Sequence, residues 1–340
     1  MGITGYVAAE LIPHEAGNLS YVSNDTSVVT VSSTGVINAN GAGAVFITVL
    51  FNGTDKYATS SSRVNVIVRK APTGIGANDL ELTFGDKSKL VYVLVPENTG
   101  GNISFVSSNP DVVKVSSSGE VTAVSAGTAT VTIIFPGNEN YEKSNKTVKV
   151  TVNKHNTQIS AKSITATYNV NKNLVITLKD SKGNAISGVS VTVNLNGAKT
   201  YKTDKNGQIK INVAKFVPKA YTAKISFAGN NNYKASSATV KVTVKKAKSK
   251  IVAKNKIFKK AKKIKKYAIT LKSGKTPIKK VWVTLKIKGK KILKAKTNNK
   301  GKATFNIKKL TKKGKYLAVI KFKGNKYYGA VTKKVKIKIK

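Results

Sequence analysis

The chain has 340 residues, no cysteine, two histidines (His14 and His155) and a formal net charge of +47. Without cysteine it can form no disulfide, thiolate metal site or Cys nucleophile. It also has no apolar run of roughly 18 residues to cross a bilayer as a helix. The charge is graded: residues 1–70 hold 4 basic and 4 acidic side chains, residues 71–154 hold 7 and 8, residues 155–245 hold 14 and 2, and residues 246–340 hold 36 and 0.

From the amino end, one phrase recurs four times: Phe, one residue, Gly, three residues, Tyr. It reads Phe51-Gly53-Tyr57, Phe135-Gly137-Tyr141, Phe227-Gly229-Tyr233 and Phe322-Gly324-Tyr328, at intervals of 84, 92 and 95 residues. A fixed long period marks an array of similar modules. The boundaries predicted from it are 1–70, 71–154, 155–245 and 246–340, with short linkers near Lys70-Ala71-Pro72, Asn153-Lys154-His155-Asn156 and Lys245-Lys246-Ala247-Lys248. Linkers this short predict a semi-rigid rod.

Repeats one and two align without a gap at an offset of 84: Gly35 matches Gly119, Gly43 matches Gly127, and Val64-Asn65-Val66 matches Val148-Lys149-Val150. In repeat two, Val131, Ile133 and Phe135 alternate with Thr130, Thr132 and Ile134, the period of a half-buried strand. Ser107-Ser108-Asn109-Pro110 and Ser117-Ser118-Gly119 punctuate the runs as turns. No useful helical period appears, so the fold class is all-β, a tandem array of four β-sandwiches. Met1 falls opposite Gly85, leaving repeat one without a counterpart of Leu80-Glu81-Leu82-Thr83-Phe84. The first sandwich is therefore expected to be incomplete, with an unpaired edge, and Met1 to lie inside a longer array.

Repeats three and four pair with each other. Val175-Ile176-Thr177-Leu178 matches Ala268-Ile269-Thr270-Leu271, and Thr203-Asp204-Lys205-Asn206-Gly207 matches Thr297-Asn298-Asn299-Lys300-Gly301. In each copy of the recurring phrase, Phe is expected to anchor a strand, Gly to take a turn with positive φ, and Tyr to pack back with its hydroxyl wet. Asp180-Ser181-Lys182-Gly183-Asn184 and Asp204-Lys205-Asn206-Gly207 each offer one carboxylate beside a lysine. Calcium takes six to eight oxygens, so these segments read as β-turns. The histidines and serines form no base–nucleophile grouping. No catalytic residue, cofactor or metal is expected, and the chain reads as a non-enzyme.

The segment Tyr21-Val22-Ser23-Asn24-Asp25-Thr26-Ser27-Val28-Val29, with Ser33-Thr34-Gly35-Val36-Ile37 and Gly41-Ala42-Gly43, resembles the group 2 bacterial Ig-like domain, and Phe105-Val106-Ser107-Ser108-Asn109-Pro110 onward is similar to it. Repeats three and four resemble invasin-type Ig-like repeats through Gly188-Val189-Ser190-Val191-Thr192-Val193 and Thr203-Asp204-Lys205-Asn206-Gly207. The Lys-rich last repeat is similar to those closing adhesin-like surface proteins of archaea. These resemblances imply Ig-like sandwiches serving as a cell-surface stalk, with a host or neighbouring-cell ligand met by a more amino-terminal part.

In repeat four, apolar residues keep the inward positions of Leu285-Lys286-Ile287-Lys288 and Val335-Lys336-Ile337-Lys338-Ile339-Lys340 while lysine takes the outward ones. The candidate contacts for an anionic polymer are Lys286, Lys288, Lys290, Lys336, Lys338 and Lys340, with Trp282 expected to face outward. A module of this size exposes about 5,000 Å², so evenly spread lysines would sit on the order of 12 Å apart, beyond the Debye length of about 8 Å at physiological salt. Repeat four has no Arg to read bases and no regular aromatic platform. An anionic cell-wall or envelope polymer is therefore the expected partner, ahead of sequence-independent nucleic-acid binding or a passive spacer without partner. Five Asn-x-Ser/Thr acceptors, Asn18, Asn24, Asn52, Asn102 and Asn145, lie in repeats one and two and fit an outward, sugar-coated section.

Overall fold

The computed structural model describes residues 3–340; Met1, whose alignment with Gly85 was noted above, lies outside the described residues. Apart from the single-turn 3-10 helix His14–Ala16, the regular elements are strands. Contacts divide the chain into two compact units, Met1–His155 and Asn156–Lys340, so the boundary falls one residue after the predicted start of repeat three. Each unit holds two hydrophobic cores, one per repeat.

The period of two explains those cores. Along Gly127–Phe135, Ala129, Val131, Ile133 and Phe135 are buried, while the residues between them face outward. Successive side chains of a strand point to opposite faces, so one face of each run is committed to the core. In repeat two, Ser104–Ser107, Gly127–Phe135, Ser144–Asn153 and Leu80–Thr83 form one sheet in that order, and Val113–Val115, Glu120–Ala123 and Lys87–Lys89 form the facing one. The opening strand Leu80–Thr83 runs parallel to the closing strand Ser144–Asn153. The same parallel closure joins Ile164–Thr167 to Ser236–Lys245 in repeat three and Lys256–Phe258 to Val331–Ile339 in repeat four.

Repeat one departs from this plan as its alignment predicts. Its sheet stops at Ser60–Val68, with the order Ser20–Ser23, Gly43–Phe51, Ser60–Val68. Two predicted linker residues, Asn153 and Lys245, are the last residues of strands, because the closing strands run on to them.

The recurring phrase builds the same hairpin four times. Phe51, Phe135, Phe227 and Phe322 are buried. Gly53, Gly137, Gly229 and Gly324 have φ between 79° and 82°, a region closed to side chains without strain. The residue after each glycine donates its amide to the tyrosine carbonyl, at 2.9 Å from Thr54, 3.1 Å from Asn138, 3.0 Å from Asn230 and 2.9 Å from Asn325. In the last three copies the Asn side chain also caps the tip: Asn325 Oδ1, for example, accepts from the amides of Tyr327 at 2.9 Å and Tyr328 at 2.8 Å.

Within each unit the hairpin tip also holds the joint between repeats. The linker residue Ala71 bonds in register with Tyr141, and Ala247 does the same with Tyr328. One residue before the tyrosine, Asn140 Oδ1 accepts from the Ala42 amide of repeat one at 2.8 Å. At the matching position Tyr327 stacks on Tyr168 of repeat three, with ring centroids 4.7 Å apart. Such a ring pair contributes about 0.5–1.5 kcal/mol beyond area burial.

Two glycines separate crowding from backbone strain. A Cβ on Gly324 would lie 2.8 Å from the Ala330 amide nitrogen, whereas one on Gly274, also at positive φ, meets nothing within 4 Å. Gly324→Ala should therefore destabilise repeat four by about 1–3 kcal/mol, more than Gly274→Ala does. Urea unfolding of the two variants checks the order.

Candidate functional site

A cationic surface covers the outer face of the five-stranded sheet of repeat four, in the order Lys256–Phe258, Val331–Ile339, Gly314–Phe322, Trp282–Ile287, Leu293–Lys296. Ala318, Ile320, Val335, Ile337, Val283 and Leu285 turn inward and are buried. The alternate residues turn outward: Lys334, Lys336 and Lys338 on one strand, Lys315 and Lys321 on the next, then Lys286, then Lys294 and Lys296. Antiparallel register sets Lys338 directly opposite Lys315, and places Lys294 and Lys321 on either side of Thr284. Opposed residues sit about 5 Å apart at Cβ, inside the screening length. Register therefore clusters these lysines more tightly than the even spread expected from the sequence.

Apolar groups run through the same face. Trp282 is 59% exposed and Leu317 50%. A shallow groove of about 640 Å³ lies beside the indole, bordered by Lys294, Lys321 and Lys323. Of the residues singled out from sequence, Lys286, Lys336, Lys338 and Trp282 share this face. Lys288 and Lys290 lie in the turn after Ile287, where Lys290 Nζ donates to the Lys309 carbonyl at 3.2 Å. Lys340 follows the last strand, its amide bonded to the Phe258 carbonyl at 3.0 Å. Sequence reasoning missed Lys294, Lys296, Lys315, Lys321 and Lys334; the outward-alternation rule that selected Lys336 selects them too once it is applied to every strand.

One lysine of repeat four does not take the outward position. Lys265 lies on the inward side of Ile264–Ser273 and is 1% exposed, its Nζ bonded to the Lys262 carbonyl. Lys265 shares its side of the pleat with the buried Tyr267, Ile269 and Leu271, which turns it to the core and leaves Ile264 46% exposed.

Repeat three carries fewer lysines on this face: it keeps Lys241 and Lys202 where repeat four has Lys336 and Lys296, and has Lys224 in place of Val319. At matching register positions, Thr239, Thr243, Ser226, Asn194 and Thr200 stand where repeat four has Lys334, Lys338, Lys321, Lys286 and Lys294. Ser190 stands in place of Trp282, and Thr222 in place of Leu317. The core pattern is kept while the outer face gains cations and apolar groups together.

The turns lose charge in the same way. Asp204 Oδ1 accepts from the Asn206 and Gln208 amides, both at 2.9 Å; in repeat four Asn298 Oδ1 accepts from Lys300 and Lys302 at 3.0 Å each. The hydrogen bonds survive and the carboxylate does not. Asp180 Oδ1 likewise accepts from the Lys182 and Asn184 amides, at 2.9 and 2.8 Å, with Gly183 at positive φ. Both Asp segments are thus turns closed by their own carboxylates. No group of three or more His, Asp or Glu that could hold a metal occurs among the described residues, and no helix is long and apolar enough to cross a membrane.

Comparison with known proteins places the second repeat. Residues 77–140 match the family model of the bacterial Ig-like domain (group 2). This segment is therefore similar to a group 2 bacterial Ig-like domain. An α-L-arabinofuranosidase of Bifidobacterium longum subsp. longum is 30% identical over 128 residues, which is 34% of this chain and 12% of that protein. The chain thus spans only a small part of the length of that curated relative. Among solved structures, immunoglobulin domains 1–5 of Sidekick-1 are 10% identical with a TM-score of 0.31, covering 95% of this chain and 74% of that one. A 1.5-MDa bacterial ice-binding adhesin is 13% identical with a TM-score of 0.29, covering 80% of this chain and 100% of that one. Drosophila N-cadherin EC1-4 is 11% identical with a TM-score of 0.25, covering 99% and 94%.

Two measurements probe the Ig-like repeats at this face. Lys338→Thr installs the residue of repeat three and removes a lysine opposed to Lys315. It should stabilise repeat four by about 0.2–1 kcal/mol at 0.01 M salt, where the Debye length is about 30 Å, and have little effect at 1 M; thermal unfolding at both salts checks this. The Gln208 amide, with the Asn206 amide behind it, holds the Asp204 carboxyl below the ordinary aspartate range. A depressed folded-state value means that the contribution of this turn is present above the unfolded value and is lost as pH falls through the folded one. In an acid titration followed by NMR, the Asn206 and Gln208 amides should shift in that window, and the Lys300 and Lys302 amides should not follow.

Proposed function

We propose that this chain is part of a non-catalytic, adhesin-like stalk at the cell surface. Its four Ig-like modules are 1–70, 71–154, 155–245 and 246–340, the last two of invasin type, and module four holds an anionic cell-wall or envelope polymer electrostatically. One observation carries this reading: between modules three and four the core pattern is kept, while the outer sheet face exchanges Thr, Ser or Asn for Lys at five matching positions and keeps Lys at two more. With no Asp or Glu in residues 246–340, these ammonium groups have no carboxylate side chain of their own module to pair with. Opposed like charges destabilise a sheet, and a polyanion relieves that repulsion while releasing its own counterions. The exposed acceptors Asn18, Asn24, Asn52, Asn102 and Asn145 in modules one and two fit an outward, extracellular section. Trp282 and Leu317 on the cationic face favour a polymer with stackable sugar rings over bare phosphate.

The test uses the full chain and a variant carrying the residues of module three: Lys286→Asn, Lys294→Thr, Lys321→Ser, Lys334→Thr and Lys338→Thr. Wild type should bind isolated cell walls at about 0.15 M salt and be stripped at about 1 M, where the Debye length is about 3 Å. The variant should bind more weakly and with a shallower dependence on log salt. Retention of wild type at about 1 M salt, or equal binding by the variant, would show the mechanism to be wrong. Preference for duplex DNA over wall polymer would move the assignment to a nucleic-acid-binding protein.

A further inference from the structure

Trp282 is the only tryptophan of the chain, and it stands exposed beside the groove described above. Register fixes what surrounds it. Thr284, the next outward residue of Trp282–Ile287, pairs with Lys321 on one side and with Lys294 on the other. Thr284 Oγ1 donates to the Lys321 carbonyl at 3.2 Å, which ties it to the neighbouring strand. Lys323 follows the buried Phe322 and borders the same groove. Module three keeps Thr192 at the position of Thr284, with Ser226 and Thr200 as its partners. It has Ser190 for Trp282 and Ala228 for Lys323. Between the two modules, one aromatic ring and three cations thus change together around an unchanged threonine.

Given the polymer grip proposed above, on which this step rests, the geometry points to a subsite at Trp282 for one acidic sugar ring, a pyranose bearing a carboxylate or sulfate. The face of an indole is apolar and carries negative charge density, so it stacks on the slightly positive C–H face of a pyranose. Its neighbours supply the rest. Residues two apart on one face of a strand are separated by about 7 Å, and directly opposed residues by about 5 Å. A ring on Trp282 can thus direct its acidic substituent to the row of Thr284, flanked by Lys321 and Lys294. A bare phosphate chain would use the lysines and leave the indole uncovered. A lipid surface or an apolar peptide needs a wider apolar patch than this one. Ile257, also exposed on this face, lies on the first strand of the sheet. Leu317 adjoins Ala318, which pairs with Ile287 at the far end of the tryptophan strand. The exposed apolar area at Trp282 is therefore one ring wide, with lysines around it.

The indole is also a native reporter, because its emission, excited beyond the tyrosine band, comes from this site alone. Oligogalacturonate, a sulfated galactose oligomer, a neutral galactose oligomer and inorganic polyphosphate are each titrated into the full chain at about 0.15 M salt. At least one acidic oligomer should shift the emission saturably, and the stronger of the two names the acid; the neutral oligomer should not at the same concentration. Polyphosphate should bind, as read by calorimetry, with little change in emission. Trp282→Ser installs the residue of module three; it should weaken the acidic oligomer about tenfold and leave polyphosphate binding within about twofold. Lys294→Thr with Lys321→Ser, which keeps the indole, should remove the preference for the acidic oligomer over the neutral one. The inference is overturned if neither acidic oligomer moves the emission, if the neutral one acts equally well, or if Trp282→Ser weakens polyphosphate as much as sugar. It is also overturned if vesicles of anionic phospholipid shift the emission and the oligomers do not. Salt-sensitive wall binding that persists in Trp282→Ser at full strength sinks this subsite alone and leaves the electrostatic grip standing.

Discussion

Every feature of this chain depends on the pleat of its strands, which separates each run into an inner and an outer set of side chains. Val335, Ile337 and Ile339 are buried, while Lys334, Lys336 and Lys338 between them are exposed. Because the two sets are independent, the coat can drift without disturbing the core. The rise from 14 basic side chains in module three to 36 in module four left most buried positions apolar, with Lys265 and Thr297 the polar ones. Antiparallel register then gathers residues that are far apart in sequence, such as Lys338 and Lys315, onto one patch.

The hairpin after the long central strand links fold to assembly. Its glycine permits a turn that brings the tyrosine carbonyl back to the next amide, and the Asn that follows it fixes the tip. A tip fixed this way can serve as a mount: Asn140 and Tyr327 project from it at matching positions and reach the preceding module within their units. A motif that looks like four copies of a local turn therefore also carries the connection between neighbours.

Much of this was legible in the sequence, and the limits have physical causes. Alternation revealed the strands, the 84-residue offset revealed the kinship of the first two repeats, and the Phe-x-Gly-x-x-x-Tyr spacing revealed the hairpin. Three things were hidden. The capping role of Asn138, Asn230 and Asn325 required knowing which amides approach the side chain, although the residue recurs in one column of the repeat. The Tyr168–Tyr327 stack depends on how two modules meet, which no local pattern encodes. The clustering of Lys294 and Lys321 around Trp282 depends on strand order, because the three residues lie on three different strands. Lys265 departs from the outward rule although its side was legible, because it shares parity with Tyr267, Ile269 and Leu271.

The replacement of Asp204 by Asn298 reaches beyond one turn. Carboxylates and imidazoles are the ordinary side chains that change protonation between roughly pH 3 and 7, and residues 246–340 contain neither. Residues 246–340 thus lack the side-chain types that ordinarily answer to pH in that range. Any response of the proposed grip to acidification would therefore come from the acids of the partner, whereas dissolved ions or a rival polyelectrolyte would act on the lysines themselves.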